Sequence, residues 1–350
     1  MRLHRPRLAV AAVLIAVALP GGCTGVGGPQ PGAPAHHHEH GFVNTTPGDP
    51  RPGLWARVSF FASRMFATTF APRTAAYPRV EHAGRALREN HGEPTVTWVG
   101  HSTLLVQLEG ANVLTDPQWS RRASPFSFAG PKRFMPPAVA FEELPPIHLV
   151  VISHDHYDHL DATTVRRLAA AHHPRFLVPL GMKAWFADLG IVDDVDELDW
   201  WEARTVRGLT VTFVPAHHWS QRTPSDTNRR LWGGWVLRGR DRRLYFAGDT
   251  AYFDGFKEIT SRLGPIDLAA LPIGAYLPAV IMKPSHLDPR QALDAFADLR
   301  ARVMVPIHFG TFDLAEEPLE EPPRLLEQLA RERAVIDRVW ILKHGETRRW

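Results

Sequence analysis

Short runs of apolar and β-branched residues recur along the chain from about Thr95 onwards and predict β-strands. The runs cover residues 95–99, 103–108, 112–115, 147–152, 175–178, 209–214, 231–237, 243–247, 268–272, 303–307 and 339–342. Apolar residues spaced by three and four predict helices over residues 161–172, 182–189, 253–263, 288–299 and 323–333. Strands that pair as hairpins and then alternate with helices predict a single α/β domain, with two mixed sheets and helices on the outside.

One further predicted helix, over residues 54–70, differs from these because its apolar positions form a stripe with few charges beside it. The stripe comprises Leu54, Trp55, Val58, Phe61, Ala62, Met65, Phe66 and Phe70. Phe60 lies off the stripe. Docking of this face on the domain is the default expectation, and a protein interface or a position on a lipid surface are the alternatives.

The first residues have the pattern of an export signal. Arg2, Arg5 and Arg7 precede the uncharged apolar run 8–19, which is too short to span a bilayer comfortably. Small residues and Cys23 follow, in an order that resembles a bacterial lipobox. We therefore expect a signal peptide over 1–22 and a lipid-modified Cys23 that anchors the protein in the cell envelope, facing outside the cytoplasm. Plain secretion and an uncleaved anchor are the alternatives.

The next segment, residues 23–52, is rich in Gly, Pro and polar residues and predicts a flexible tether. The histidine-rich stretch 36–40 within it could bind metal, although the composition favours an unstructured polar tract. An amphipathic segment over 53–80 and the main domain over 81–350 complete the predicted organisation.

Charge and cysteine content restrict the partners and the ligands. The chain has 40 basic and 37 acidic side chains, and the three arginines of the predicted signal account for the whole excess. The remaining chain is neutral, which gives no support for a nucleic-acid partner. Because Cys23 is the only cysteine, an intrachain disulfide is excluded and metal ligands have to be His, Asp or Glu.

The densest group of such ligands follows the predicted strand 147–152. Residues 153–159, Ser-His-Asp-His-Tyr-Asp-His, contain three imidazoles and two carboxylates. His154 and His156 can point the same way in extended backbone, and Asp158 and His159 then turn back toward the same point. The sequence predicts a loop at the carboxyl end of a strand that binds one or two divalent metal ions.

Other predicted strands end in coordinating residues in the same manner. Strand 209–214 leads to His217 and His218, strand 243–247 leads to Asp249 through a glycine, and strand 303–307 leads to His308. His217 would face away from His218 in extended backbone, so His218 is the predicted ligand. Several ligands at strand ends after a His-x-His-x-Asp-His loop indicate one shared metal site.

With these motifs the sequence resembles the metallo-β-lactamase superfamily, and within it the branch of phospholipases D that hydrolyse N-acylphosphatidylethanolamine. The resemblance covers roughly residues 80–347. The stretches that carry the branch resemblance include residues 98–101, 114–117, 130–133, 142–145, 197–201, 231–233, 246–250, 272–276, 307–312 and 342–346. It implies a four-layer αβ/βα sandwich with two zinc ions, or similar divalent ions, in a cleft.

The resemblance also implies the roles of individual residues. His154, His156 and His218 would hold the first metal. Asp158, His159 and His308 would hold the second, with Asp249 bridging the two. Asp158 and Asp249 are thereby catalytic residues, because the ions they hold would turn a shared water into a hydroxide nucleophile.

Four further residues have roles by resemblance or by position. His286 would bind the substrate phosphate or assist the leaving oxygen, and Tyr276 would line the cleft, although a structural role is as well supported for Tyr276. Asp116 is the usual structural acid of the superfamily. It and His101 are candidates to orient the ligand histidines, with plain packing as the alternative for His101.

The function expected from these features is a metal-dependent phosphodiesterase of phospholipase D type. It would hydrolyse N-acylphosphatidylethanolamine-like phospholipids to phosphatidic acid and an N-acylethanolamine at a membrane, and the resemblance suggests a homodimer. A lactonase or amide hydrolase that uses the same hydroxide on a carbonyl is the alternative enzyme. A non-enzymatic metal-binding protein of the envelope is the alternative outside enzymology.

Overall fold

Two β-sheets stack face to face at the centre of the molecule, and helices cover the outer face of each sheet. The computed structural model describes residues 32–46, 48, 52–81, 83–90 and 92–350. Its strands are β1 His37–His38, β2 Gly41–Phe42, β3 Thr95–Gly100, β4 Thr103–Leu108, β5 Ala111–Thr115, β6 Leu149–Val151, β7 Arg175–Pro179, β8 Val195–Leu198, β9 Ala203–Val206, β10 Leu209–Val214, β11 Gly234–Arg238, β12 Arg243–Phe246, β13 Leu268–Pro272, β14 Val303–Ile307 and β15 Thr347–Arg349. Its helices are α1 Leu54–Phe70, α2 Ala83–Arg88, α3 Ala162–His172, α4 Lys183–Asp188, α5 Gly255–Leu263, α6 Ala279–Met282, α7 Pro289–Asp298 and α8 Glu321–Glu332.

Both large sheets are mixed. The first sheet has seven strands in the order β15-β3-β4-β5-β6-β7-β8, and the second has six in the order β14-β13-β12-β11-β10-β9. Strands β5 to β8 run parallel, as do β12 to β14, whereas the remaining pairs are antiparallel. The predicted two-sheet α/β fold is confirmed.

The layers follow from alternation of side chains along the strands. In β4, Leu104 and Val106 face the second sheet, whereas Leu105 packs in a separate core with α3 and α4. The core between the sheets continues outward through the second sheet to apolar residues of α5, α7 and α8. The order of layers is therefore helices, sheet, sheet, helices.

The structure differs from the predicted strands mainly near the carboxyl terminus. Residues 339–342 do not form a strand, because after a short 3₁₀ turn only Val339 bridges to β14, at Met304. The chain then crosses to the first sheet, where β15 pairs with β3. Strands β8 and β9, which carry several charged residues, were not predicted by apolar pattern.

Helix α1 has the predicted bounds but not the expected burial. The side chains that are buried in it are Phe60 and Thr68, and the predicted stripe faces solvent. Trp55 is 82% exposed and Phe70 is 72% exposed. The default expectation that the stripe docks on the core is therefore wrong. Phe60, the residue off the stripe, makes the contact instead, with a small cluster that includes Met282.

The expected tether over 23–52 is folded where the structure describes it. Residues 34–46, here named the N-terminal strap, contain the β1–β2 hairpin and pack on the domain. The side chain of His36 is almost fully buried, and the amide of Phe42 donates to the carbonyl of Asn228. The histidine-rich stretch is thus not an unstructured polar tract. The predicted signal peptide and Cys23 lie outside the described residues.

Candidate metal centre and substrate cleft

The metal-ligand candidates meet because strands that run in the same direction end at the same edge. Strand β5 ends just before Asp116, and the parallel neighbour β6 ends just before the loop 153–159. In the second sheet, β12 and β14 run parallel to β13 on either side of it and lead to Asp249 and His308. The two sheets present these edges to each other, so both contribute to one site.

The first group of ligands is a triangle of imidazoles. The Nε2 atom of His154 lies 2.9 Å from Nδ1 of His156, which lies 3.3 Å from Nε2 of His218. The three nitrogens lie within 4.8 Å of one another. Burial lowers the pKa of His154 and His218 well below the usual value, so both rings are in the neutral form that binds metal.

The second group surrounds two carboxylates. The Oδ2 atom of Asp249 lies 3.0 Å from Nε2 of His308 and 3.2 Å from Nε2 of His159. The Oδ2 atom of Asp158 lies 3.3 Å from each of the same two nitrogens. The same Asp249 oxygen is 4.0 Å from Nε2 of His154 and of His218, which places Asp249 between the two groups.

Hydrogen bonds fix which nitrogen of the His218 and His159 rings faces the site. The carbonyl of Ser285 accepts from Nδ1 of His218 at 2.8 Å, and a carbonyl can only accept, so Nε2 of His218 carries the lone pair. Asp116 accepts from Nδ1 of His159 at 2.7 Å and from the amide of Ser153 at 2.7 Å. The role proposed for Asp116 from the sequence, orientation of a ligand histidine, agrees with this contact.

The residues present fit a pair of divalent ions. The Nε2 atom of His159 and the Oδ1 atom of Asp249 are buried without a hydrogen-bond partner among the described residues. Buried polar atoms of this kind are costly unless a cation occupies the space between them. Burial would raise the pKa of Asp158 and Asp249, but the surrounding histidines hold both well below the usual value, so both are ionised.

Sharp turns at the strand ends direct these side chains inward. Asp116 has a φ of 35° and His308 has a φ of 60°, both in the left-handed region that residues other than glycine rarely adopt. Gly248 precedes Asp249 with φ of 61°, and a Cβ there would come within 2.3 Å of Ser153. This close approach to the ligand loop of the other sheet accounts for the glycine before Asp249.

A cleft of about 260 Å³ opens over the metal centre. Metal-site residues Asp158, Asp249 and His308 form its floor, and α1 contributes Phe61 and Met65 to its wall. The remaining apolar lining comes from Ala123, Pro131, Ala275, Ile281, Met282, Pro284 and Leu314. The site therefore has a polar floor and a largely apolar wall, which suits a molecule with one charged and one apolar end.

Two arginines of α1 also line the cleft, and they differ in their partners. Arg64 forms an ion pair with Asp313. For Arg57, no carboxylate of the described residues lies within 4 Å, and its guanidinium carbon lies 5.8 Å from the ring centre of Trp219. Trp219 in turn packs edge-on against His156, at 4.5 Å between ring centres. Within the described part of the chain, Arg57 is thus a positive charge without a carboxylate partner, close to the first ligand group.

The other predicted site residues have mixed outcomes. His286 lines the cleft with Nδ1 at 3.7 Å from Oδ2 of Asp249, and burial lowers its pKa to about 4. Tyr276 is not part of the cleft lining, because the chain turns at Ala275 and the Tyr276 hydroxyl donates to Glu321 instead.

His101 and His217 lie beside ligands without belonging to the predicted set. Nε2 of His101 is 3.0 Å from Oδ2 of Asp158, so His101 has the orienting position rather than a packing role alone. His217 forms a hydrogen bond with Thr46 of the N-terminal strap, whereas His218 is part of the imidazole triangle. Arg57 and the carbonyl of Ser285 were missed, because nothing in their local sequence links them to the distant ligands.

Comparisons with known proteins agree with this geometry. The family described as "Beta-lactamase superfamily domain" matches residues 111–309. N-acyl-phosphatidylethanolamine-hydrolyzing phospholipase D 1 of Caenorhabditis elegans is 46% identical over 238 residues, which cover 65% of this chain and 67% of that protein. The mitochondrial protein of the same description from Saccharomyces cerevisiae is 36% identical over 276 residues, which cover 76% of this chain and 58% of the yeast protein.

A solved structure supports the fold. The metallo hydrolase Igni18 of Ignicoccus hospitalis superposes with a TM-score of 0.56 at 23% identity, over 73% of this chain and 98% of that chain. From the family match, the relatives and the ligand geometry together, we conclude that this chain belongs to the metallo-β-lactamase superfamily and is a metal-dependent hydrolase.

Proposed function

We propose that this protein is a phosphodiesterase of phospholipase D type that hydrolyses N-acylphosphatidylethanolamine-like phospholipids to phosphatidic acid and an N-acylethanolamine. The observation that supports it best is one cleft that combines metal-ligand candidates on its floor, an apolar wall and Arg57, which pairs with no carboxylate of the described residues. A phospholipid has the matching order of acyl chains and phosphodiester. The similarity to the nematode and yeast enzymes supports the same reaction.

The proposed cofactor is a pair of zinc or similar divalent ions. His154, His156 and His218 would hold one ion, and Asp158, His159 and His308 the other, with Asp249 between them. Bound ions would supply an activated water and neutralise the charge that develops on the phosphate oxygens.

The residues around the ligands position the substrate in this proposal. Arg57 attracts the phosphodiester to the cleft, and the uncharged ring of His286 offers an N–H to a phosphate or leaving oxygen beside Asp249. The bond that breaks is the one from phosphorus to the head-group oxygen, so the water oxygen stays with phosphatidic acid. Its protons go to the released alcohol and to solvent.

Membrane contact through α1 is part of the proposal. The exposed stripe of α1 lies on the helix that also forms the cleft wall, and the nearby amide of Gly130 donates to Thr69. The loop that contains Gly130 also carries Phe126 and Phe128, whose side chains are 47% and 74% exposed. Among the described residues no helix is both long and apolar enough to cross a bilayer. An apolar rim on the lipid surface would let a phospholipid reach the floor without full transfer into water.

We further propose that a lipid-modified Cys23 anchors the protein in the cell envelope and that the protein forms a homodimer. Labelling of cells with a palmitate probe tests the first, because a Cys23→Ser protein should lose the label. Light scattering of the purified protein tests the second.

The deciding experiment for the reaction is incubation of the purified protein with N-acylphosphatidylethanolamine vesicles and mass spectrometry of both products. Phosphatidic acid and N-acylethanolamine should appear in equal amounts, and ¹⁸O from labelled water should appear in phosphatidic acid. Hydrolysis of lactones or amides without phosphodiester cleavage would replace the proposal with the carbonyl hydrolase. If the zinc-loaded protein cleaves none of these substrates, the result favours a non-enzymatic metal-binding role.

A further inference from the structure

The N-terminal strap brings a second group of metal-ligand atoms together, away from the catalytic floor. Nε2 of His36 lies 2.5 Å from Oδ1 of Asp199, and Nε2 of His37 lies 2.8 Å from Oδ2 of the same carboxylate. The three ligand atoms lie within 4.8 Å of one another. Two adjacent histidines thus contact one carboxylate that is more than 160 residues away in sequence.

This group is built into the fold rather than scattered on the surface. The side chains of His36 and Asp199 are 6% and 15% exposed. The ring of His36 stacks on Trp200 at 4.1 Å between ring centres, and the ring of His37 meets Phe42 edge-on at 5.2 Å. The orientation of both rings toward Asp199 is therefore fixed by packing on their other sides.

We propose that His36, His37 and Asp199 form a peripheral site for a divalent metal ion of the zinc type, which fastens the strap to the domain. Two imidazoles and a carboxylate, with a water in the fourth position, are an established ligand set for zinc. The site shares no ligand with the catalytic centre and does not depend on the proposed reaction.

The ligands need only a small adjustment to hold the ion. Zinc–nitrogen distances of about 2.0–2.1 Å place neighbouring tetrahedral ligands about 3.3 Å apart, so the group has to open by roughly 0.5–0.8 Å. His37 is the more exposed of the two histidines and has room to move.

Metal content tests this proposal as a difference between variants. The full chain is dialysed against zinc, and bound zinc is counted by mass spectrometry of the element. Wild type should carry one equivalent more than Asp199→Asn and one more than His37→Ala, which is the second variant in case the first folds poorly. The difference is independent of how many ions the catalytic centre holds and of which substrate is cleaved.

The exposed histidines of the same stretch supply the control. A His38→Ala/His40→Ala double variant should keep the extra equivalent, because both side chains point to solvent. Zinc should also slow proteolysis of the strap in wild type and not in Asp199→Asn. Equal zinc content in wild type, Asp199→Asn and His37→Ala would overturn the proposal. The two histidines and Asp199 would then only be hydrogen-bonded to each other. Loss of the equivalent in the double variant alone would overturn it too.

A second observation concerns the other end of the strap. The Asn44 side chain donates to the carbonyl of His218 at 2.9 Å and accepts from the amide of His218 at 3.2 Å. The side-chain oxygen of Asn44 also accepts from the indole N–H of Trp232 at 3.0 Å. One side chain from the strap thus holds the main chain of a ligand on both sides.

We infer that Asn44 is a positioning residue for His218, an inference that rests on the proposed metal centre. Asn44→Ala should weaken zinc binding at this centre about tenfold, measured by competition with a chelator. Thr46→Ala, which removes a hydrogen bond to His217 instead, should not. Asn44→Asp keeps the acceptor and should recover part of the affinity. Unchanged zinc affinity in Asn44→Ala, with or without a lower melting temperature, would overturn the inference. Because the readout is zinc affinity, failure of the phospholipase assay leaves it intact.

Discussion

The floor and the wall of the cleft are held in different ways. At the floor and directly beneath it, His154, His218 and Asp249 are buried, and the ring of His218 is held by the carbonyl of Ser285. In the wall, α1 buries little more than Phe60 and leaves its apolar stripe in solvent. The floor is determined within the chain, whereas the wall presents a surface that the described residues do not cover.

This difference shows what each kind of pattern can tell. Ligands at the ends of parallel strands have to meet, because the sheet fixes where those ends lie. A stripe at helical spacing only shows that one face is apolar. Whether another part of the chain or an external surface covers that face is decided by tertiary packing.

The largest expected effect comes from removing the residue shared by the two ligand groups. Asp249→Asn should lower phospholipid turnover about a thousandfold, since loss of an ion removes roughly 4 kcal/mol of transition-state stabilisation. The melting temperature of the metal-free protein should change little. The matched control is Asp254→Asn, the same change at an exposed position. Turnover within twofold of wild type in Asp249→Asn would mean that this floor is not where the reaction occurs.

A tenfold to hundredfold loss of zinc affinity is expected when a residue that contacts a ligand, without being a ligand itself, is replaced. Asp116→Asn removes the carboxylate that accepts from His159 and Ser153, so zinc affinity should fall by about that range. Titration with a competing chelator measures it. If affinity is retained, His159 is held by packing alone and the floor is less dependent on its partners than the geometry indicates.

In the wall, the expected effect is on lipid contact rather than on folding. Trp55→Ser should weaken binding to phospholipid vesicles roughly tenfold to hundredfold, since burial of such a side chain contributes about 1.5–3 kcal/mol. Its free energy of unfolding should stay within about 0.5 kcal/mol of wild type. Vesicle sedimentation and urea unfolding provide the two measurements.

Two substitutions make that comparison sharper. Phe60→Ser should lower the free energy of unfolding, because Phe60 is the buried residue of the same helix. Val192→Ser alters an exposed apolar residue that does not line the cleft and should leave vesicle binding unchanged. Equal loss of vesicle binding in Val192→Ser and Trp55→Ser would exclude a specific role for the stripe.

The smallest expected effect is on recognition of the anion. Arg57→Gln should raise KM for the phospholipid about fivefold with little change in kcat, because a partly exposed charge contributes about 1 kcal/mol. Arg324→Gln, an exposed arginine on α8, is the control. A change in kcat alone would place Arg57 in the reaction step instead of in binding.

Much of the fold and of the metal centre could be predicted from the sequence. Strands β4, β10, β13 and β14 have the predicted bounds, since each is a short run rich in apolar and β-branched residues. The loop 153–159 and its distant partners were found because each ligand directly follows a strand. Strands β8 and β9 escaped prediction because their edge positions admit charged residues.

The contacts that were missed join segments far apart in the chain. Asn44 reaches His218, and His36 and His37 reach Asp199, yet the local composition of the strap is that of a loop. No periodic pattern records such pairings, because a hydrogen bond needs only one suitable atom on each side. The choice between a cleft-lining and a structural role for Tyr276 is open in the sequence for the same reason, as its position depends on the turn at Ala275 and on Glu321.

The division of the ligands between the two sheets has a consequence for how the chain holds together. With a single cysteine, the molecule has no intrachain disulfide. Ions bound between the loop 153–159 and His308 would join the ends of a loop of about 150 residues, and restriction of so long a loop removes much conformational entropy from the unfolded chain. The centre that performs the chemistry would then also serve as the cross-link that makes the two halves of the sandwich unfold together.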